Sequence, residues 1–178
     1  MIPILYGSDE TEFTSQGLGS LADAISCTVT EERNGLYELE MEYPQTGLRF
    51  ADIAAGNIIC AIPSPYRAAQ PFRVYKVTKQ LNGNVMVYAN HISYDLNKIP
   101  VKPFTAGTVA EAMTKLQENC AIANGFLFLT DKETAADMKI ETPTAARSCL
   151  GGIQGSVLDT YGGEYEWDRF KVYLKNQR

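Results

Sequence analysis

Two Asn-Gly dipeptides, Asn34-Gly35 and Asn82-Gly83, each sit between two stretches of strand composition, and they constrain the first half of the chain more than any other feature. A type I′ turn needs positive φ at both central residues, which Asn and Gly tolerate, and its twist matches that of two antiparallel strands. Each dipeptide therefore predicts a hairpin. The first joins residues 26–33 to 36–43. In its second arm Tyr37, Leu39, Met41 and Tyr43 alternate with Glu38, Glu40 and Glu42, so one face is core and the other is wet. The second hairpin joins residues 72–79 to 84–91. There Val85 and Val87 point away from Met86 and Tyr88, so this arm is apolar on both sides and belongs in mid-sheet or in a wrapped barrel. Further strands are expected at residues 2–6 and 57–62.

At Pro100-Val101-Lys102-Pro103 two prolines remove backbone donors and favour an extended connection, which predicts a domain boundary. Beyond it Thr108 and Glu111 have the spacing of a capping box, and Val109, Met113, Leu116 and Cys120 follow at helical steps, predicting an amphipathic helix to about Asn119. A strand is expected at residues 126–130, then a polar stretch. Two short helices follow, capped by Thr144 and Ser156, with Gly162-Gly163 ending the second, and a tight hairpin turns about Asp168-Arg169. The expected fold class is α+β, mainly β: a small antiparallel β-barrel or sandwich over residues 1–99, then a smaller mixed α/β domain over residues 104–178.

A chain of 178 residues with 45% hydrophobic and 21% charged side chains can bury a core without a metal or disulfide staple, which sets aside disordered, collagen-like and coiled-coil classes. Its 16 basic residues against 21 acidic ones give a net charge of −5, so it gains little from the counterion release that drives binding to a phosphate backbone. Direct, sequence-specific nucleic-acid binding is not expected. No apolar run approaches the length of a bilayer span, and the start, MIPILYG, lacks the basic flank of a secretory signal. Cys27, Cys60, Cys120 and Cys149 show no metal-binding spacing and read as free thiols in a reducing compartment.

Few constellations invite chemistry. Asp159 and Glu164 flank Tyr161-Gly162-Gly163, and paired carboxylates near an aromatic are what a glycosidase needs for general acid and nucleophile or base. The alternative places Asp159 at a helix end with no catalytic role. Glu38, Glu40 and Glu42 share one strand face and could gather a hard cation, though a solvated face is the simpler reading. His91 is the single histidine, with no second ligand near it in sequence, and reads as a hydrogen-bonded structural residue. The glycine-rich run at 151–156 precedes a helix but lacks the Lys-Ser/Thr of a phosphate loop, so it reads as a flexible connection. Neither Gly-x-Ser-x-Gly nor a papain-like cysteine signature is present. The residues favour no catalytic site, no cofactor and no metal, and an interaction protein over an enzyme.

Four segments in order carry a resemblance: ERNGLYELEMEYP at 32–44, FRVYKV at 72–77, HISYDL at 91–96 and LGGIQGSVLDTYGGEYEWD at 150–168. Together they resemble the N-terminal region of bacteriophage and prophage tail proteins of the tail-tip hub family, which includes tail-associated endopeptidases and phage minor structural proteins. The resemblance implies a trimeric hub whose β-barrels close a ring at the distal end of the tail tube. Its implied partners are copies of itself and the distal-tail and tape-measure proteins, and its implied location is the virion tail, assembled in the bacterial cytoplasm. Members of the family continue beyond this length, many into a peptidoglycan-degrading region, so this chain is expected to be part of a longer protein and not itself the enzyme.

Two rivals remain at this level. One is a cell-wall hydrolase fragment using Asp159 and Glu164. The other is an oligonucleotide-binding β-barrel in which Tyr37, Tyr75 and Tyr88 stack bases.

Overall fold

The computed structural model describes residues 2–176. The chain is mostly β and divides into two compact units, Met1–Ile92 and Ser93–Arg178.

The first unit is one curled antiparallel sheet, a half-barrel built of seven strands. They are β1 (Ile4–Tyr6), β2 (Gly19–Ser20), β3 (Ser26–Glu31), β4 (Tyr37–Pro44), β5 (Ile58–Ala61), β6 (Gln70–Lys79) and β7 (Asn84–His91), in the order β2-β1-β5-β6-β7-β4-β3. Both expected hairpins are present, β3 with β4 and β6 with β7. Their turns differ from type I′. In the first only Asn34 has a positive φ, at 52°, and Glu32 N–H reaches across three residues to Leu36 O at 2.7 Å. In the second only Gly83 does, at 83°, and Gln80 N–H donates to Asn84 O at 2.9 Å. A three-residue loop with one left-handed residue closes each hairpin at lower backbone cost than two consecutive ones.

β4 alternates as expected, with Tyr37, Leu39, Met41 and Tyr43 at most 1% exposed. β7 is central, between β6 and β4, and buries Val85, Val87 and Ala89 on the same side. Phe72 and Val74 of β6 and Ile59 of β5 complete this inner layer. Each such apolar side chain contributes roughly 1.5–3 kcal/mol on burial, against about 0–1 for a surface ion pair, so the core and not the charges holds the sheet together.

The second unit begins earlier than the proline-rich segment suggested. A 3-10 turn over Ile92–Lys98 leads into β8 (Pro100–Val101), which pairs with β12 (Thr144–Ala145), so the stretch read as a connection is part of this unit. Val101 is fully buried there, and Pro100 gives up no ladder bond because Ala146 N–H bonds to Ile99 O at 2.8 Å, which leaves Pro100 and Ala145 at a non-hydrogen-bonded site where no N–H is needed. β9 (Phe104–Thr108) runs into α1 (Val109–Glu118), which buries Val109, Ala112, Met113 and Leu116. Thr108 Oγ1 accepts from Glu111 N–H at 3.2 Å, as a capping box requires, but the Glu111 carboxylate reaches back one residue further than expected, to Gly107 N–H at 2.8 Å.

β10 (Leu127–Thr130) follows, then β11 (Ala135–Ile140), which pairs with β9 inside the stretch expected to be irregular. A register break between Ala135 and Met138 disrupts the alternation that would have revealed this strand. α2 (Ala146–Leu150) is capped by Ala145 with no side-chain bond, not by Thr144, whose hydroxyl donates instead to Thr142 O at 2.8 Å. Ser156 does cap α3 (Val157–Tyr161), and Gly162 ends it at φ 62°. β13 (Glu164–Asp168) and β14 (Lys171–Lys175) form the final hairpin, whose turn lies one residue later than expected, at Arg169-Phe170. β14 also pairs in parallel with β10.

Candidate functional site

The outer face of the seven-stranded sheet is built row by row from the strand registers. β3 presents Ser26, Thr28 and Thr30, and β4 sets Glu42, Glu40 and Glu38 opposite them. On the other side β7 places Met86, Tyr88 and Asn90 opposite the same glutamates. β6 follows with Thr78, Lys76 and Arg73. A bulge between Val74 and Lys76 inserts Tyr75, so Tyr75 and Lys76 are both exposed although they are adjacent in sequence. The Lys76 ammonium lies 5.3 Å from the Tyr88 ring centroid, and the Tyr75 and Tyr88 rings are 6.3 Å apart.

No basic residue stands directly across from Glu38 or Glu40, whose cross-strand neighbours are Thr30, Asn90, Thr28 and Tyr88. Glu42 accepts hydrogen bonds from Asn84 at 2.7 Å and Asn82 at 3.4 Å. Glu42 is thus held by neutral amide donors, while Glu40 is exposed and Glu38 half-buried. Among the described residues no group of three or more His, Cys, Asp or Glu is arranged to hold a metal.

Tyr37 is not available for base stacking. It lies 1% exposed on the inner face, stacked on His91 at 4.4 Å with an interplanar angle of 18°. His91 is fully buried, meets Phe72 edge-on at 5.6 Å, and its Nε2 lies 3.3 Å from Gln70 Oε1. The lone histidine is a core residue hydrogen-bonded to Gln70.

In the second unit Asp159 is bound to the loop before it, its Oδ2 accepting from Gly155 N–H at 2.7 Å. Glu164 opens β13 opposite Lys175. The two carboxylates therefore belong to different local structures, one closing the glycine-rich loop and one starting a hairpin. A groove of about 290 Å³ between β9, β11 and α1 is lined by Thr105, Glu111, Lys115, Asp137 and Lys139. Two of its charges pair with each other: Lys115 Nζ lies 2.6 Å from Glu111 Oε1 and donates to Thr105 O at 2.7 Å, while Lys139 pairs with Glu141 at 2.8 Å. The hydrogen bond from Lys115, with that from Gly107 N–H, holds the Glu111 carboxyl below the usual carboxylate range.

Sequence reading missed Arg147. Its guanidinium sits 3.9 Å from the Tyr94 ring centroid and 5.4 Å from that of Trp167, and Nη1 donates to the buried Ser93 Oγ at 3.0 Å. Burial pushes its pKa down. This one side chain joins the 3-10 turn, α2 and β13, and only the spatial meeting of three distant segments could have revealed it.

No family model matches the chain, and no curated protein sequence matches it. Among solved structures it is similar to the prophage tail protein gp18 from Listeria monocytogenes EGD-e, with a TM-score of 0.67 and 15% sequence identity. The match covers 99% of this chain and 51% of the gp18 chain, so the chain spans about half the length of that relative. At this identity the likeness is one of fold.

Proposed function

We propose that this chain is a structural component of a bacteriophage or prophage tail, acting in the hub at the distal end of the tail tube. The observation that carries this reading is the fold match to a prophage tail protein over essentially the whole chain, with both units included. The four ordered segments noted in the sequence support it independently. Its work is assembly through broad surfaces, not catalysis. In the assembled tail it forms a threefold ring with copies of itself and meets the distal-tail and tape-measure proteins, after assembly in the bacterial cytoplasm.

A stripe of Glu38, Glu40 and Glu42 without opposing cations suits the wall of such a ring. Like charge there keeps passing DNA from adhering. The test is direct: antibodies raised against the purified chain are applied to tailed particles released by prophage induction and examined by electron microscopy. Labelling confined to the distal tail tip is expected. Particles whose tails lack the chain by mass spectrometry, or label along the shaft, overturn the reading.

A further inference from the structure

We propose that β3 is an adhesive edge through which two copies of this chain pair, antiparallel, about a twofold axis at Thr28. This goes beyond the tail reading and does not depend on it, since a threefold ring closes head to tail on a different kind of contact.

Among the described residues β3 ends the sheet and pairs with β4 alone. Its register against β4 is continuous from Ser26↔Glu42 to Glu31↔Tyr37. Proteins blunt such edges with proline, lysine, a bulge or shortness. Residues 26–31, SCTVTE, contain none of the first three, and with six residues β3 is three times the length of β2, which ends the opposite side of the sheet at two.

The hydrogen-bond parity fixes which groups are on offer. Glu32 N–H bonds to Leu36 O, which marks 32 and 36 as a hydrogen-bonded pair. In an antiparallel ladder such pairs alternate, so Thr30, Thr28 and Ser26 turn their amides toward β4, and Cys27, Val29 and Glu31 turn theirs to the open edge. A partner strand must bond those odd-numbered residues and also keep the inner and outer faces in register.

A second copy of β3 does both. With Thr28 opposite Thr28, Cys27 pairs with Val29 and Val29 with Cys27, each through edge-facing amides and carbonyls. On the outer face Ser26 meets Thr30, which joins hydroxyl to hydroxyl. On the inner face the half-buried Cys27 and Val29 cover one another across the junction. The ladder ends at the Cys27–Val29 rungs, because Ile25 N–H is already bound to Glu42 O at 2.9 Å; Glu31, opposite Ile25, is held by Arg67 at 2.9 Å, so no like charges meet. An interface of this length lies below the roughly 1,000 Å² of a stable complex, so the dimer is weak and concentration-dependent.

The experiment uses the full chain with Thr28→Cys under mild oxidation. Opposed residues at a non-hydrogen-bonded antiparallel site have Cα atoms about 4.5 Å apart, within disulfide range. A disulfide-linked dimer is expected on non-reducing gels, well above the wild-type background from the native cysteines. Thr30→Cys, which would face Ser26 of the partner, is expected to stay at that background. Thr28→Lys sets two ammonium groups together on the axis, and sedimentation should show at least a tenfold weaker dimer with circular dichroism unchanged. A folded Thr28→Cys protein that cross-links no more than Thr30→Cys overturns the proposal, as does a dimer indifferent to Thr28→Lys. A trimer whose mass ignores Thr28→Lys leaves the tail ring standing and removes this inference alone.

Discussion

Substituting alanine at Gly162 and Gly163 separately isolates one steric contact. Both residues have positive φ, 62° and 111°, so each alanine carries a backbone cost of about 1–3 kcal/mol. The surroundings differ. A Cβ at Gly162 meets nothing within 4 Å, whereas one at Gly163 lies 2.6 Å from Lys175 O and 3.1 Å from Leu174 Cδ1. A backbone carbonyl cannot swing aside as a side chain can, so β14 must shift away from β13. That weakens the Glu164↔Lys175 end of the hairpin, at about 0.5–1.5 kcal/mol per hydrogen bond, and overpacks the site at roughly 1–3 kcal/mol. Gly163→Ala should therefore cost about 2–4 kcal/mol more than Gly162→Ala. Trp167, the only tryptophan, is buried on β13 close by and reports unfolding of this unit. With m near 1–1.5 kcal/mol/M, the urea midpoint of Gly163→Ala should fall about 2 M below that of Gly162→Ala. Midpoints agreeing within about 0.3 M would refute the argument that the close approach to Lys175 O sets the cost.

Arg147→Ala should destabilise the second unit by about 2–4 kcal/mol, because it removes a hydrogen bond to the buried Ser93 hydroxyl and the cation from Tyr94 and Trp167. Arg147→Lys should recover less than half of that loss by urea titration, since an ammonium cannot stack on both rings while reaching Ser93. Burial raises the Cys149 thiol from an ordinary 9.0 to about 11 and pushes Tyr165 well above 10.0. The folded state thus holds protons that the unfolded state releases, so these groups contribute stability that is intact below pH 9 and is lost as pH climbs toward 11. Equilibrium unfolding from pH 8 to 11 should show that decline, flatter in Cys149→Ala; an identical slope in the two proteins would contradict it. Leu39→Ala should cost about 2–5 kcal/mol and Glu40→Ala under about 0.5, and similar losses at both positions would mean that the β4 faces are misassigned.

What the residues alone determined is whatever their nearest neighbours enforce. The alternation of Tyr37, Leu39, Met41 and Tyr43 with glutamates specifies a half-buried strand because the side-chain period of a strand is two. The Asn-Gly pairs place two hairpins, and Thr108 and Ser156 place two helix starts, through bonds spanning three residues. Local chemistry was silent where pairing is distant or its pattern broken. The β9–β11 pair hides behind a register break, and β10 lies parallel to β14 across some forty residues, with no turn between them to announce it. Thr144 has capping chemistry, yet the strand pairing of Thr144 and Ala145 with β8 moved the helix start one residue on. Alternation along β4 already turns Tyr37 to the core face; only the folded sheet decides that it stacks there on His91 while Tyr88 lies on the outer face. The same holds for Asp159 and Glu164, near in sequence but assigned by tertiary contacts to a loop and a hairpin. Short-range bonding energy is written in the chain order, while long-range pairing depends on which surfaces the whole fold can bury together.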